Sequence, residues 1–342
     1  MMERRTFIKG GAAALGVMAL AGCSSSDDTE ESTGSTSTET EESTETAELT
    51  TYKIGVIQLT EHDALDNSND GFVRALDEAV EEGTFAYEID QQNAQNDQAT
   101  CTTIANTFVG DGVDLIYAIA TPAAQAAAAV TTDIPIVGCA ITDFADSDLV
   151  ESNEEPGGNV TGASDLTPVT EQIDMLVEVF PDATSVGLLY CSAESNSEIQ
   201  IQMAEEACDS YGLEHERYSV ASSNEIQSVV ESMSGKVDVV YAPTDNTIAA
   251  AAAQVGSICI ELGLPFVCGE EGMVEEGGLF TLSIDYEALG HIAGEMALRI
   301  LVDGEDPAEM PIEYTSDEDL EVVVNEETAE AIGVDVSMLT EE

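Results

Sequence analysis

Two short junctions in the chain carry polar chemistry where an apolar run stops. One is Ala120-Thr121-Pro122, inside VDLIYAIATPAAQAA (residues 113–127); the other is Thr244-Asp245-Asn246-Thr247, inside VDVVYAPTDNTIAAA (residues 237–251). Threonine suits a helix N-cap and proline the first helical turn. The N–H groups of such a helix end can hold a carboxylate without any charged side chain. The second junction offers the carboxylate of Asp245 instead, which can meet an ammonium group. Other polar residues fall where apolar runs end: Gln58, Glu61 and His62; Thr142 and Asp143; Ser192, Glu194, Ser195 and Asn196; and Glu270. Asp165 and Asp285 lie beside places where the chain is expected to change lobes. Each taken alone is an ordinary cap or surface group, and the argument rests on their common position at strand ends.

Catalytic readings fail on composition. The only histidines are His62, His215 and His291, and no H-E-x-x-H or G-x-S-x-G occurs. A phosphate loop is absent, and the lysines are Lys9, Lys53 and Lys236 alone. Carboxylates are too abundant for any pair to signal acid–base work. Neither an enzyme nor a metal or other cofactor is expected. The 69 acidic residues against 8 basic ones give a formal net charge of −61, which excludes nucleic acid as a partner. So acidic a surface is soluble and repels itself, a repulsion that a salt-rich habitat would screen.

The elements that must position these groups come in duplicate. YKIGVIQLTEH at 52 matches TSVGLLYCSAE at 184, and the two junctions above match each other. IPIVGCAITD at 134 matches LPFVCGEEGM at 264, so the offset is roughly 130 residues each time. In each half, buried apolar strands alternate with amphipathic helices, stopped at Gly83 and Gly212. The predicted fold is α/β: two Rossmann-like lobes with parallel sheets and right-handed crossovers. Leftover strand–helix units at the end imply a multi-strand hinge, with crossings near Gly157–Gly162, Ser283–Asp285 and 312–316. The lobes are expected to comprise residues 52–161 plus 286–313, and 162–285 plus 314–342. In open parallel sheets, ligands bind beyond the carboxyl ends of the strands, where both junctions fall.

Residues 1–22 read as an export signal. Arg4-Arg5-Thr6-Phe7-Ile8-Lys9 fits the twin-arginine pattern, and Leu20-Ala21-Gly22-Cys23 fits a lipobox in which Cys23 takes lipid. Residues 23–51 are rich in Ser, Thr and acid, and read as a flexible tether. The six other cysteines lack a C-x-x-C and lie mostly in apolar runs, as buried apolar residues do.

The signal, lipobox, tether and duplicated lobes resemble an ABC-transporter substrate-binding lipoprotein. More narrowly, IGVIQLTEHDALD, YEIDQQNAQNDQAT, IYAIATPAAQAA, GGNVTGASDLTPV, YAPTDNTIAAA and ALGHIAGEMA are similar to the tryptophan/tyrosine-type substrate-binding family, in order and over about residues 52–333. Phe144 follows Asp143 where relatives often have proline. The resemblance implies a type I periplasmic-binding-protein fold and an amino-acid ligand, often aromatic. It also implies a monomer, anchored outside the cell membrane, that serves an ABC permease. On that reading the ligand carboxylate meets Thr121 and Ser195–Ser197, and its ammonium meets Asp245 or Asp285 with Glu61 nearby. Phe144, Tyr190 and Tyr286 are candidates for the apolar rim. The same module could instead bind a sugar or nucleoside, against which the absence of tryptophan argues, or sense a ligand for a membrane receptor.

Overall fold

The computed structural model describes residues 50–316 and 320–340; the export signal, Cys23 and almost all of the tether lie outside them. The first lobe opens with β1 (Thr51–Gln58), α1 (Asp63–Glu81), β2 (Ala86–Asn93), α2 (Gln98–Asp111), β3 (Leu115–Ile119), α3 (Thr121–Ala128), β4 (Ile136–Ile141) and β5 (Val160–Ser164). The second follows as α4 (Val169–Val179), β6 (Ser185–Cys191), α5 (Ser195–Tyr211), β7 (Glu214–Val220), α6 (Ile226–Met233) and β8 (Val239–Ala242). It continues through α7 (Asn246–Ala249), α8 (Ala252–Leu262), β9 (Phe266–Cys268), α9 (Glu271–Glu275) and β10 (Phe280–Ser283). The chain then returns to the first lobe with α10 (Tyr286–Leu298) and β11 (Glu313–Tyr314). It ends in the second with β12 (Glu321–Val324) and α11 (Glu326–Ile332).

Two six-stranded sheets result, ordered β11-β5-β4-β3-β1-β2 and β12-β10-β9-β8-β6-β7. Replacing each strand of the first by its counterpart gives the second, which is the duplication expressed as topology. All pairs are parallel except β10 with β12. The apolar runs of β3, β4 and β6 occupy sheet interiors, covered on both faces as parallel strands require. The edge strands β2 (AYEIDQQN) and β7 (EHERYSV) carry the charges that discourage edge pairing. Gly83 and Gly212 both take left-handed φ, +74° and +71°, and end α1 and α5 as expected. The six cysteines among the described residues are all buried and unbonded. No described helix is long and apolar enough to cross a membrane.

The lobes are joined three times, after β5, β10 and β11. Strand β5 lies wholly in the first sheet, so the chain leaves that sheet after Ser164 rather than within Gly157–Gly162. The glycine there has a packing reason: a Cβ on Gly162 would sit 2.0 Å from the carbonyl oxygen of Gly138 on the neighbouring strand. Returning α10 lies directly on α1. Their backbones nearly touch, because a Cβ on Gly290 would meet the Ser68 carbonyl oxygen at 2.0 Å and one on Gly71 the Glu287 oxygen at 1.9 Å. An Arg74–Glu287 ion pair and a 3.1 Å contact between His291 Nε2 and Glu78 Oε2 flank this approach. The Phe72 and Tyr117 rings stack beneath it.

Candidate functional site

The carboxyl ends of the two sheets face one another across a pocket of about 270 Å³, counting its open mouth. Its polar wall is made by His62, Asp165, Asn196, Asp245, Asn246 and Glu270, with Thr244 behind. Leu65, Met273 and Tyr286, with small alanines, make the apolar wall. Two of the strand ends that shape this region are irregular. The pairing of β4 with β5 slips between Cys139 and Ile141, and Ala140, which lines the pocket, takes φ +54°. At the end of β3, buried Ala120 takes φ +83° and occupies the cap position of α3. Non-glycine residues held in such conformations cost about 1–3 kcal/mol each and cluster at functional sites.

Several buried carboxylates around the pocket are consumed by helix caps. Asp245 accepts from Ile248 N at 2.9 Å through one oxygen, and from Cys191 N and Ser197 Oγ at 2.6 and 2.7 Å through the other. Glu270 accepts from Gly272 N and Met273 N. Glu194 accepts from the N–H groups of Asn246 and Thr247, the Thr247 hydroxyl and the Asn246 amide. Burial raises the Asp245 carboxyl, helped by the nearby Glu194 charge, and raises that of Glu270 to about 7.

Asp165 differs. It is 5% exposed, and its Oδ2 accepts from the Tyr286 hydroxyl at 3.1 Å while Oδ1 has no partner. Burial pushes this carboxyl up to about 6, against the lowering effect of the Tyr286 hydrogen bond. Two more enclosed polar atoms of the same pocket lack partners, Asn196 Oδ1 and His62 Nδ1. Unpaired buried polar atoms are costly and rare, and three of them surround this one pocket. The N-termini of α1, α3 and α5 have no side-chain cap; in α3, Pro122 lacks an N–H and those of Ala123 and Ala124 bind the Ala120 carbonyl, so open backbone donors are left mainly at α1 and α5.

Hydrogen bonds cross the cleft. His62 Nε2 lies 3.2 Å from Asn246 Oδ1, Asn96 donates to Thr247 Oγ1 at 3.0 Å, Gln200 to Thr142 Oγ1 at 3.1 Å, and Gln125 to Ser195 Oγ at 3.4 Å.

Several residues singled out from the sequence stand outside the pocket. Gln58 binds the Thr60 carbonyl and Asp66, bracing the turn into α1. Asp143 organises its own loop through Asp146 and Asn153. Ser192 donates to the Val220 carbonyl, and Glu61 is exposed near the mouth. Asp285 is an exposed cap of α10, so it lies apart from the enclosed ligand space. Thr121 is the first residue of α3 rather than its cap, and its buried hydroxyl has no partner. Phe144 and Tyr190 are packed into the lobes, Phe144 beneath Gly138, and of the three aromatic candidates Tyr286 alone lines the pocket. Leu65, Met273 and Ala140 were not legible as site residues: two read as core positions of helices and the third as the interior of a strand.

The family model described as ABC transporter substrate binding protein matches residues 53–339. A tyrosine-binding protein of Clostridioides difficile (strain R20291) is 38% identical over 321 residues, 94% of this chain and 90% of that one. An ABC domain from Streptococcus pneumoniae in complex with L-Trp has a TM-score of 0.80 at 36% identity, over 85% of this chain and 98% of that one. The ligand-free, open structure of a substrate binding protein with adhesive properties from Clostridium difficile gives 0.64 at 40% identity, over 83% of this chain and 95% of that one. The better agreement with the ligand-bound relative, despite lower identity, indicates that the lobes stand close to the closed arrangement. The bonds across the cleft say the same.

Proposed function

The chain belongs to the family of ABC transporter substrate binding proteins, and on that premise we propose that its cleft takes an aromatic L-amino acid, of the tyrosine or tryptophan kind. A solute-binding protein clasps its ligand and does not transform it, so no catalytic group is needed. The observation that carries the reading is the free Oδ1 of Asp165, an enclosed carboxylate oxygen with no partner inside a pocket of about 270 Å³. The ammonium group pairs with Asp165 rather than with Asp245 or Asp285, since Asp245 has spent both oxygens and Asp285 faces solvent. The carboxylate takes the uncapped N-terminal N–H groups of α5, whose Asn196 lines the pocket. The ring lies against Leu65, Met273 and Tyr286. The relatives named for tyrosine and bound to L-Trp support this choice.

Contacts from both lobes favour the closed arrangement, and a shift from mostly open to mostly closed needs about 5 kcal/mol of differential affinity. The closed molecule then delivers its ligand to a membrane permease. Lipid on Cys23 would hold it at the outer face of the membrane after twin-arginine export. Those residues lie outside the described ones, and loss of lipid labelling in Cys23→Ala tests that part. The ligand assignment is tested by calorimetric titration of the purified protein with all twenty amino acids, nucleosides and sugars. A response to tyrosine or tryptophan is expected; silence from every amino acid with a response to a sugar would overturn it.

A further inference from the structure

We infer that His62 reads the ligand side chain, accepting a hydrogen bond at Nδ1 and so selecting an aromatic ring that carries an O–H or N–H over one that carries none. This rests on the amino-acid reading above and names the discriminating group within that site.

The argument starts at Glu194. Its carboxylate can only accept, and it is held by the N–H groups at the start of α7 and the Thr247 hydroxyl. The Asn246 amide donates its NH₂ to Glu194 at 2.6 Å, which fixes which end of that amide is oxygen. Asn246 Oδ1 therefore faces His62 Nε2 at 3.2 Å as an acceptor, and Nε2 must carry the hydrogen. Burial lowers the His62 imidazole to about 4, so the ring is neutral at physiological pH. A neutral ring protonated at Nε2 has a lone pair at Nδ1. That atom is enclosed, has no partner, and does not cap its own helix. His62 comes from the first lobe and the Glu194–Asn246 pair from the second, so closure itself sets the tautomer.

The donors that a ligand has left decide what Nδ1 meets. His62, the extended residue that precedes α1, and Leu65 both line the pocket. Asp165, hydrogen-bonded to Tyr286, takes the ammonium group in the reading above, so the donor left for Nδ1 is the one on the ring. An ammonium group satisfies Asp165 and has hydrogens left for Asn196 Oδ1. A phenol O–H or an indole N–H satisfies His62, whereas an unsubstituted phenyl ring leaves Nδ1 buried and unpaired. A buried acceptor left unpaired weakens binding by about 10- to 100-fold.

The test is calorimetry with L-tyrosine, L-tryptophan and L-phenylalanine on the wild type, His62→Gln and His62→Asn. Glutamine keeps a donor near the Nε2 position and removes the Nδ1 acceptor; asparagine places an acceptor near Nδ1 and loses the bond to Asn246. The wild type is expected to bind tyrosine or tryptophan ~10- to 100-fold more tightly than phenylalanine. Glutamine should collapse that ratio towards one, and asparagine should keep it while binding all three more weakly. Equal wild-type affinity for phenylalanine would overturn the role of His62 and leave the amino-acid reading standing. So would an unchanged ratio in His62→Gln, or equal losses for all three ligands in both variants. If no aromatic amino acid binds the wild type, the amino-acid reading falls, and this inference with it.

Discussion

Replacing Asp165 by asparagine should make the empty protein more stable and the binding weaker, two effects of opposite sign from one atom. The carboxyl is buried, and it is raised from an ordinary 3.8 to about 6. At 1.36 kcal/mol per tenfold change in proton affinity, holding it ionised at pH 8 without a ligand costs roughly 3 kcal/mol. Asparagine keeps the shape and can still accept from Tyr286, which donates to Asp165 at 3.1 Å. The ligand-free variant should therefore gain up to about 3 kcal/mol at pH 8, and much less near pH 4.5, where the native carboxyl is already protonated. With ligand the sign reverses, because the ammonium group is left without its counter-charge. Breaking a buried pair costs about 3–5 kcal/mol, which raises Kd by a factor of 100 or more. Urea unfolding at both pH values, with calorimetry against L-tyrosine and L-tryptophan at pH 8, measures both effects. Wild-type affinity in Asp165→Asn would show that the ammonium sits elsewhere, and a less stable empty variant at pH 8 would refute the idea of an uncompensated charge.

Three further outcomes follow from the packing and charge. A methyl group on Gly290 would collide with the Ser68 carbonyl oxygen, so Gly290→Ala should lose about 2–3 kcal/mol by urea midpoint; Gly110→Ala, with no atom within 4 Å, should be neutral or better. Asp165 and Glu270 have folded-state values raised to about 6 and about 7. Their stabilisation is complete below about pH 4 and is lost as pH rises through that range, whereas buried His62, lowered to about 4, adds stability only up to about pH 6.5; the ligand-free midpoint should therefore fall between about pH 6.5 and pH 8, and a rise there would contradict the burial argument. With a formal net charge of −61, the melting temperature should climb as sodium chloride goes from about 0.1 to 1 M, and a flat response would mean that self-repulsion is already relieved.

The architecture was legible in the sequence because duplication and parallel pairing leave strong marks. The runs that became β1, β3 and β4 recur as β6, β8 and β9, and strands covered on both faces must be apolar throughout. The seam was harder, because Gly157, Gly158 and Gly162 read as loop chemistry whereas Gly162 is needed where two strands nearly touch. In the site, position at strand ends picked out His62, Asn196, Asp245 and Glu270, and position beside a lobe crossing picked out Asp165; all line the pocket. It could not say which carboxylates retain a free oxygen. Asp245 and Asp165 look alike as letters, and only the partners around them separate a spent cap from an open acceptor. Leu65 and Met273 carried no signal, since an apolar residue on a pocket wall obeys the same periodicity as one in a core.

The threefold joining of the lobes bears on how the polypeptide comes into being. Arg74 on α1 meets Glu287 on α10 across 213 positions of sequence, and β11 completes the first sheet only near the end of the chain. During synthesis the opening half must wait, its sheet unfinished and its α1 groove unfilled, until almost the last segment has left the ribosome. A fragment stopping at residue 164 would therefore lack the helix that seals its core. Supplied in trans, a peptide spanning 284–316 should dock onto it and rescue its solubility.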